Sequence, residues 1–406
     1  MPTHSCPPPR YRALLRDREF AGLYAGFTLS VAASTLSGYA LGSLVADRTG
    51  SPFLTAVSMY GATFATVLGA LTLMSVADGT RPRRVLILLH GVSLTALAAQ
   101  AAPGLPLTGR FALLLVLGFF QSLAAGTRMG LVAEITPPHA YVTARSLMNV
   151  TAGGVAALGF AAGALLLRHL TPYQLFTVAA VLTAVGLCVV ATTVRERTVR
   201  LTRRPGLRAT WAANRALFSH PGRRALLLNL WVPGGLIVGC EALFLSYTPA
   251  HAGILLAAAS AGMLLGDLAV GRLLTAVQRG RSAFALRVVL AAPFLLFAAH
   301  PPLPVLTVAV FAAGAGFAAT LPLQERLLAL TPEAVRGQTQ GVDSAGRLTC
   351  QGLGAALAGG LAQYGDPGLV VAALAVTSLT VTLASRRAVA RAGAGEGEGR
   401  PTGGRA

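Results

Sequence analysis

The chain has 406 residues, of which 54% are hydrophobic, 12% charged and 6% aromatic, with a mean hydropathy of +0.64. A soluble domain carries about 25% charged residues, so this composition excludes a soluble enzyme, a free-standing nucleic-acid binder and a disordered chain. Against that apolar background stand 33 basic and 14 acidic side chains, a formal charge of +19.

Every basic residue is arginine. A Walker A loop needs a lysine on the phosphates and a pyridoxal enzyme needs one for its Schiff base, so both are excluded. Cys6, Cys188, Cys240 and Cys350 are far apart and form no CxxC pair, and no HExxH is present. They read as reduced thiols. His90, His169, His251 and His300 have no partner at metal-ligand spacing and are read as lying near span ends or outer loops. No metal and no cofactor are expected.

In chain order, a proline-rich and then basic tail occupies residues 1–19, without the apolar core or cleavage site of a removed signal peptide. Apolar runs follow at about 20–46, 52–77, 85–102, 111–133, 144–167, 173–194, 224–248, 254–275, 284–300, 305–328, 339–363 and 369–385. Most reach the roughly 20 residues that cross a bilayer as a helix. Only helices satisfy their backbone in lipid over runs of this length, so the expected fold class is all-α, a polytopic membrane protein with twelve transmembrane helices. With both termini inside, the inner segments hold 24 arginines and the outer loops 3, namely Arg48, Arg110 and Arg168. Positive residues accumulate on the cytoplasmic side, so this ratio sets the orientation. Six arginines lie in or beside spans: Arg128, Arg145, Arg272, Arg287, Arg326 and Arg347.

The longest polar stretch, 195–223, reads as a cytoplasmic linker between two six-helix bundles at 20–194 and 224–385. Within it, Leu207 to Phe218 reads either as a short interfacial helix or as a solvated basic linker. Residues 386–406 read as a disordered cytoplasmic tail. The halves echo each other. Gly69 to Asp78 matches Gly262 to Gly271 at an offset of 193, and Thr136-Pro137 matches Thr331-Pro332 at 195. Such an internal repeat is common in secondary transporters.

The turn Asp78-Gly79-Thr80-Arg81-Pro82-Arg83-Arg84 places a carboxylate at a helix end against a basic loop, which is either a latch between helices or a topogenic signal. Here the chain resembles the major facilitator superfamily, whose second and third helices are joined by an Asp followed by a basic pair. Met74 and Gly79 stand where that family has Gly and Arg. Thr127 to Pro137, followed by Ala144 to Asn149, resembles the "xRxxLxPELVP…ARANAL" segment of the drug and siderophore exporter branch. Thr331 to Gln338 resembles that branch's "PxxxRGR" turn, with Gln338 in place of the second Arg. Gly159-Phe160 stands where the antiporter motif has Gly-Pro. The resemblance implies the major facilitator fold, two six-helix pseudo-repeats and export.

Ionisable groups at membrane depth are functional candidates. Arg128, with Gln121 two turns earlier on the same face, either binds an anionic substrate or pairs with a carboxylate of another helix. Glu241, among apolar neighbours, is the candidate proton carrier, with a hydrogen-bonded structural Glu as the other reading. Ser30, Ser34 and Ser37 form one stripe, lining either a cavity or a packed seam. Glu325 and Arg326, together with Asp343 and Arg347 four residues apart, are expected to join in one charge network acting as an inner gate or tie. Asp267 is expected to pair with Arg272 or the following loop. With Asp78, Arg83 and Arg84, these are the gate and latch candidates. GxxxG at Gly159 and Gly163, and Gly354 with Gly359, read as packing surfaces.

The function expected is secondary active transport through alternating access of the two bundles. Arg128 and Glu241 would anchor a small amphipathic organic molecule in an otherwise apolar cavity, with efflux driven by the proton gradient. The expected partners are the lipid bilayer and the small-molecule substrate, with no nucleic acid; the expected state is a monomer in the plasma membrane. An importer, a lipid flippase and a non-transporting membrane sensor or enzyme are the alternatives.

Overall fold

The computed structural model describes residues 11–77, 81–197, 215, 217–332 and 335–394. Their regular structure is helical throughout, with no strand among the described residues. A short α1 (Tyr11–Leu14) precedes α2 (Arg18–Thr49), which the Asp17 carboxylate caps by accepting from the Phe20 amide at 2.8 Å. Gly50 closes α2 in the left-handed region at φ 59, where glycine carries no Cβ penalty. Next come α3 (Pro52–Tyr60), α4 (Ala62–Ala77), α5 (Pro82–Gln100), α6 (Leu107–Ile135), α7 (Pro138–Leu166) and α8 (Pro172–Thr193). Proline sits in the first turn of α3, α5, α7 and α8, where its missing N–H is no loss.

The second half contains α9 (Pro221–Ala242), α10 (Phe244–Tyr247), α11 (Ala252–Leu273), α12 (Ala276–Ala291), α13 (Leu303–Gly316), α14 (Thr320–Ala329), α15 (Arg336–Ala362) and α16 (Pro367–Ala394). Several expected spans are therefore composites. The second is broken at Gly61, and the ninth passes into a 3-10 helix over Ala292–Ala299. There Pro293 cannot donate to the α-helical ladder.

Eleven of these helices or helix pairs are long and apolar enough to cross a membrane. The expected twelfth is α15, which is long enough at 27 residues but carries Arg336, Asp343 and Arg347 in its first half. α16 runs on to Ala394, beyond 386 where a disordered tail was expected. Its Arg and Ala residues favour helix, and Val389 is buried against the α9 and α14 core. Asp78, the stretch 207–214 of the proposed interfacial helix and the tail beyond 394 lie outside the described residues.

The chain forms two compact units: Met1–Thr202 with Phe244–Ala261, and Arg203–Leu243 with Gly262–Ala406. The division thus differs from a simple cut at the 195–223 linker, because Phe244–Ala261 packs with the first unit. Leu245 reaches Gly42, and Gly253 abuts Tyr39.

Each unit repeats one packing scheme. In the first, α2 packs on α7 and α8; in the second, α9 packs on α15 and α16. The seams are built on glycine. A Cβ on Gly69 of α4 would stand 2.0 Å from the Phe119 carbonyl of α6, and one on Gly262 of α11 would stand 2.1 Å from the Phe311 carbonyl of α13. Lipid supplies little hydrophobic drive between helices, so close backbone approach through small residues holds the bundle. Gly159 and Gly163 lie against Thr35 and Tyr39 of α2, and Gly354 lies against Gly235 of α9, so these are packing glycines.

Candidate functional site

Within the first unit, α2, α5, α6 and α8 surround a cavity of about 250 Å³. Its wall includes Ser30, Ser34 and Ser37 from α2, His90 and Ser93 from α5, Gln121 and Arg128 from α6, and Thr183 from α8. The serine stripe thus lines a cavity. A second chamber of about 160 Å³ adjoins it and shares Ser34, Ser37 and Gln121. The volume suits a small solute, since drug-sized ligands occupy roughly 300–1,000 Å³.

Arg128 is the charged group of this wall. Its guanidinium carbon lies 4.4 Å from the centre of the Phe27 ring, within cation–π range. Its Nε is buried and has no hydrogen-bond partner, and no carboxylate pairs with it among the described residues. Gln121, two turns away, lines the same space.

His90 was missed by sequence reasoning. It lies in the middle of α5, not near a span end. Its Nδ1 is 2.8 Å from the Leu86 carbonyl and its Nε2 is 3.1 Å from Ser30 Oγ. A carbonyl only accepts, so Nδ1 carries a proton and the neutral ring accepts from Ser30 through Nε2. Ser30 Oγ also lies 2.8 Å from the Gly26 carbonyl. If Nε2 is protonated, Ser30 turns its proton to Gly26 and becomes the acceptor. The pair is therefore satisfied in both protonation states of the ring. No spacing rule brings position 90 to position 30; a histidine inside an apolar run was the available signal.

Glu241 is 6% exposed near the end of α9 and is not part of this wall. The wall around Arg128 is rich in polar side chains. Two further histidines have polar neighbours: Asp366 lies 3.4 Å from His300, and Thr248 lies 3.3 Å from His251.

The latch candidates meet a partner that sequence did not indicate. Arg81, Arg83 and Arg84 converge on Glu196, just past α8, at 3.7, 3.2 and 3.1 Å. Arg83 also donates to the Ala191 carbonyl at 2.7 Å. Next to it, Arg197 binds Glu19 of α2 and approaches Glu134 of α6 at 3.5 Å. The hydrogen bond from Arg197 to the Glu19 carboxylate holds its guanidinium above the usual range. Glu196 and Arg197 thus tie the ends of α2, α5, α6 and α8.

In the second unit, the four residues expected to form one network fall into two clusters. Asp343 is 2% exposed and accepts from Trp231 Nε1 at 3.2 Å and Gln324 Nε2 at 2.8 Å, with Arg347 at 3.4 Å. Glu325 pairs instead with Arg279 at 3.0 Å, and Arg326 donates to the Gly280 carbonyl. Both of these contacts reach the start of α12, one helix away from Asp343. Asp267 is exposed on α11. Arg110, read as an outer-loop charge, is fully buried in the first turn of α6. It donates to the Gln100 and Ala102 carbonyls at 2.6 and 2.7 Å and clamps the α5–α6 turn.

The architecture matches solved transporters over most of its length. A mutant of the nucleoside transporter NupG superposes with a TM-score of 0.75 at 15% identity, covering 91% of this chain and 99% of that one. The fold is that of the major facilitator transporters. The D-xylose-proton symporter gives 0.70 at 13% identity, covering 93% and 98%. The human organic anion transporter MFSD10 gives 0.64 at 17%, covering 91% and 99%. No family model and no curated protein sequence matches the chain.

Proposed function

We propose that this protein is a secondary active transporter of the major facilitator superfamily. It carries a small polar organic anion across the membrane and is driven by the proton gradient. The observation that carries this reading is Arg128, a cation with no carboxylate partner among the described residues, in a hydroxyl-lined cavity between helices of membrane-spanning length. A buried charge without a carboxylate partner is costly unless something pairs with it. A substrate carboxylate or phosphate does so, while the serines, Gln121 and Thr183 suit a solute rich in hydrogen-bonding groups. The solved transporters of the same fold carry nucleosides, xylose and organic anions, which agrees with a small solute. The arginine distribution supports a cytoplasmic position for both termini.

Two groups are candidates for coupling. Glu241 is a buried carboxyl of the second unit. His90 shares the cavity with Arg128, so a proton on its ring and a negative charge on the solute reinforce each other. That reinforcement favours symport. The resemblance of 127–149 to exporters favours outward movement by antiport. Proteoliposomes with an imposed pH gradient distinguish them. Symport gives solute accumulation on the alkaline side; antiport gives it on the acidic side. Solute distribution that ignores the gradient, in vesicles shown to be tight to protons, would remove proton coupling altogether.

A further inference from the structure

The second unit contains a cavity that the reading above does not use. Measuring about 270 Å³, it lies between α9, α12, α14 and α16, the counterparts of α2, α5, α6 and α8. Four arginines line it, Arg281, Arg287, Arg326 and Arg386, and among the described residues no carboxylate does. Arg287 is 2% exposed. Its Nε donates to Asn229 Oδ1 at 3.2 Å, but Nη1 and Nη2 are buried without a partner. Thr382 Oγ1, on the same wall, is also buried and unpartnered. Asp343 is the acid whose field reaches Arg287, and its oxygens are occupied by Trp231, Gln324 and Arg347. Arg326 has turned to Gly280, and Arg386 lies 4.6 Å over the Phe284 ring.

Four like charges around one small space repel each other unless an anion sits among them. A guanidinium presents its donors as a planar fork that fits the oxygens of a phosphate. We propose that this cavity is a second, separate binding site for a phosphate group, with Arg287 and Thr382 at its base and Arg281 and Arg386 at its rim. The group comes either from a free phosphate compound or from the headgroup of an anionic phospholipid. At the end where α9 and α12 begin, the site lies on the side to which the arginine distribution assigns the cytoplasm.

The test is thermal unfolding of the full chain in neutral detergent, titrated in one arm with inorganic phosphate against chloride at equal ionic strength. The other arm is titrated with phosphatidylglycerol against phosphatidylcholine. Stabilisation by phosphate assigns the site to a free anion, and stabilisation by phosphatidylglycerol alone assigns it to lipid. Arg281→Gln with Arg386→Gln changes only exposed side chains and preserves folding. Each lost charge-assisted hydrogen bond should weaken the half-saturating concentration at least about tenfold. The proposal is overturned if neither ligand stabilises the wild-type chain, or if the double variant binds as tightly as wild type. Transport of the Arg128 solute is measured separately, so failure of that reading leaves this outcome unaffected.

Discussion

The two cavities occupy equivalent places in the repeat and differ in chemistry. Ser34 and Asn229 are 195 residues apart, His90 and Arg287 are 197 apart, and Thr183 and Thr382 are 199 apart. Each pair stands on matching helices. Where the first unit bonds His90 to Ser30, one turn from Ser34, the second bonds Arg287 to Asn229. Among the described residues, the first wall has one arginine among many hydroxyls, and the second has four arginines and no acid. A duplicated scaffold therefore preserves backbone contacts while its polar positions change freely. Glycine seams allow only hydrogen at the contact, whereas a cavity wall leaves side chains room to vary.

The comparison breaks most easily at Arg128. Arg128→Ala should lower solute uptake at least about hundredfold, as expected when a desolvated charge pair is lost. Arg128→Lys should restore part of it. Full transport in Arg128→Ala proteoliposomes would leave the first cavity without its anchor and the contrast without meaning. The equivalence of the scaffolds is tested next. Gly69→Ala and Gly262→Ala each force a methyl against a carbonyl and should cost about 1–3 kcal/mol by similar amounts, read as lowered Tm. A large effect at one and none at the other would mean that the repeat is not preserved at its seams.

His90→Gln should leave binding of the solute within about threefold but flatten the dependence of uptake on imposed pH, since the ring is the titrating member of the pair. Glu241→Gln is the matching experiment in the second unit, and whichever variant loses gradient-driven accumulation identifies the coupling residue. The smallest effect belongs to Glu196→Gln. It removes the partner of three arginines, but these pairs are partly exposed, and each is worth about 1 kcal/mol or less. A Tm lowered by only a few degrees is expected, with transport rates changing more than stability if the tie governs conformational exchange.

Some of this was legible in the chain and some was not. Asp343 and Arg347 were readable as a pair because a helix puts residues four apart on one face. The serine stripe and Gln121 with Arg128 were readable as shared faces for the same reason. Glu196 was not readable as the partner of Arg83, because 113 residues separate them and only folding of α5 against α8 brings them together. Arg287 was visible only as one of six arginines near spans, and Arg110 looked like a loop charge because its clamp is made by backbone carbonyls that no side-chain pattern reveals.

Apolar run length and arginine placement by themselves determined an all-helical membrane chain in two halves. Lipid offers the backbone no hydrogen bonds, so long apolar segments have one solution. Only the tertiary structure decided which charges meet and which remain unpaired. Distances between helices are set by packing at glycine seams, which composition and periodicity do not encode. Of the +19 formal charge, the informative part is the few buried arginines with unpartnered nitrogens; Arg128 was already a candidate from the sequence, and it took the packed units to add Arg287.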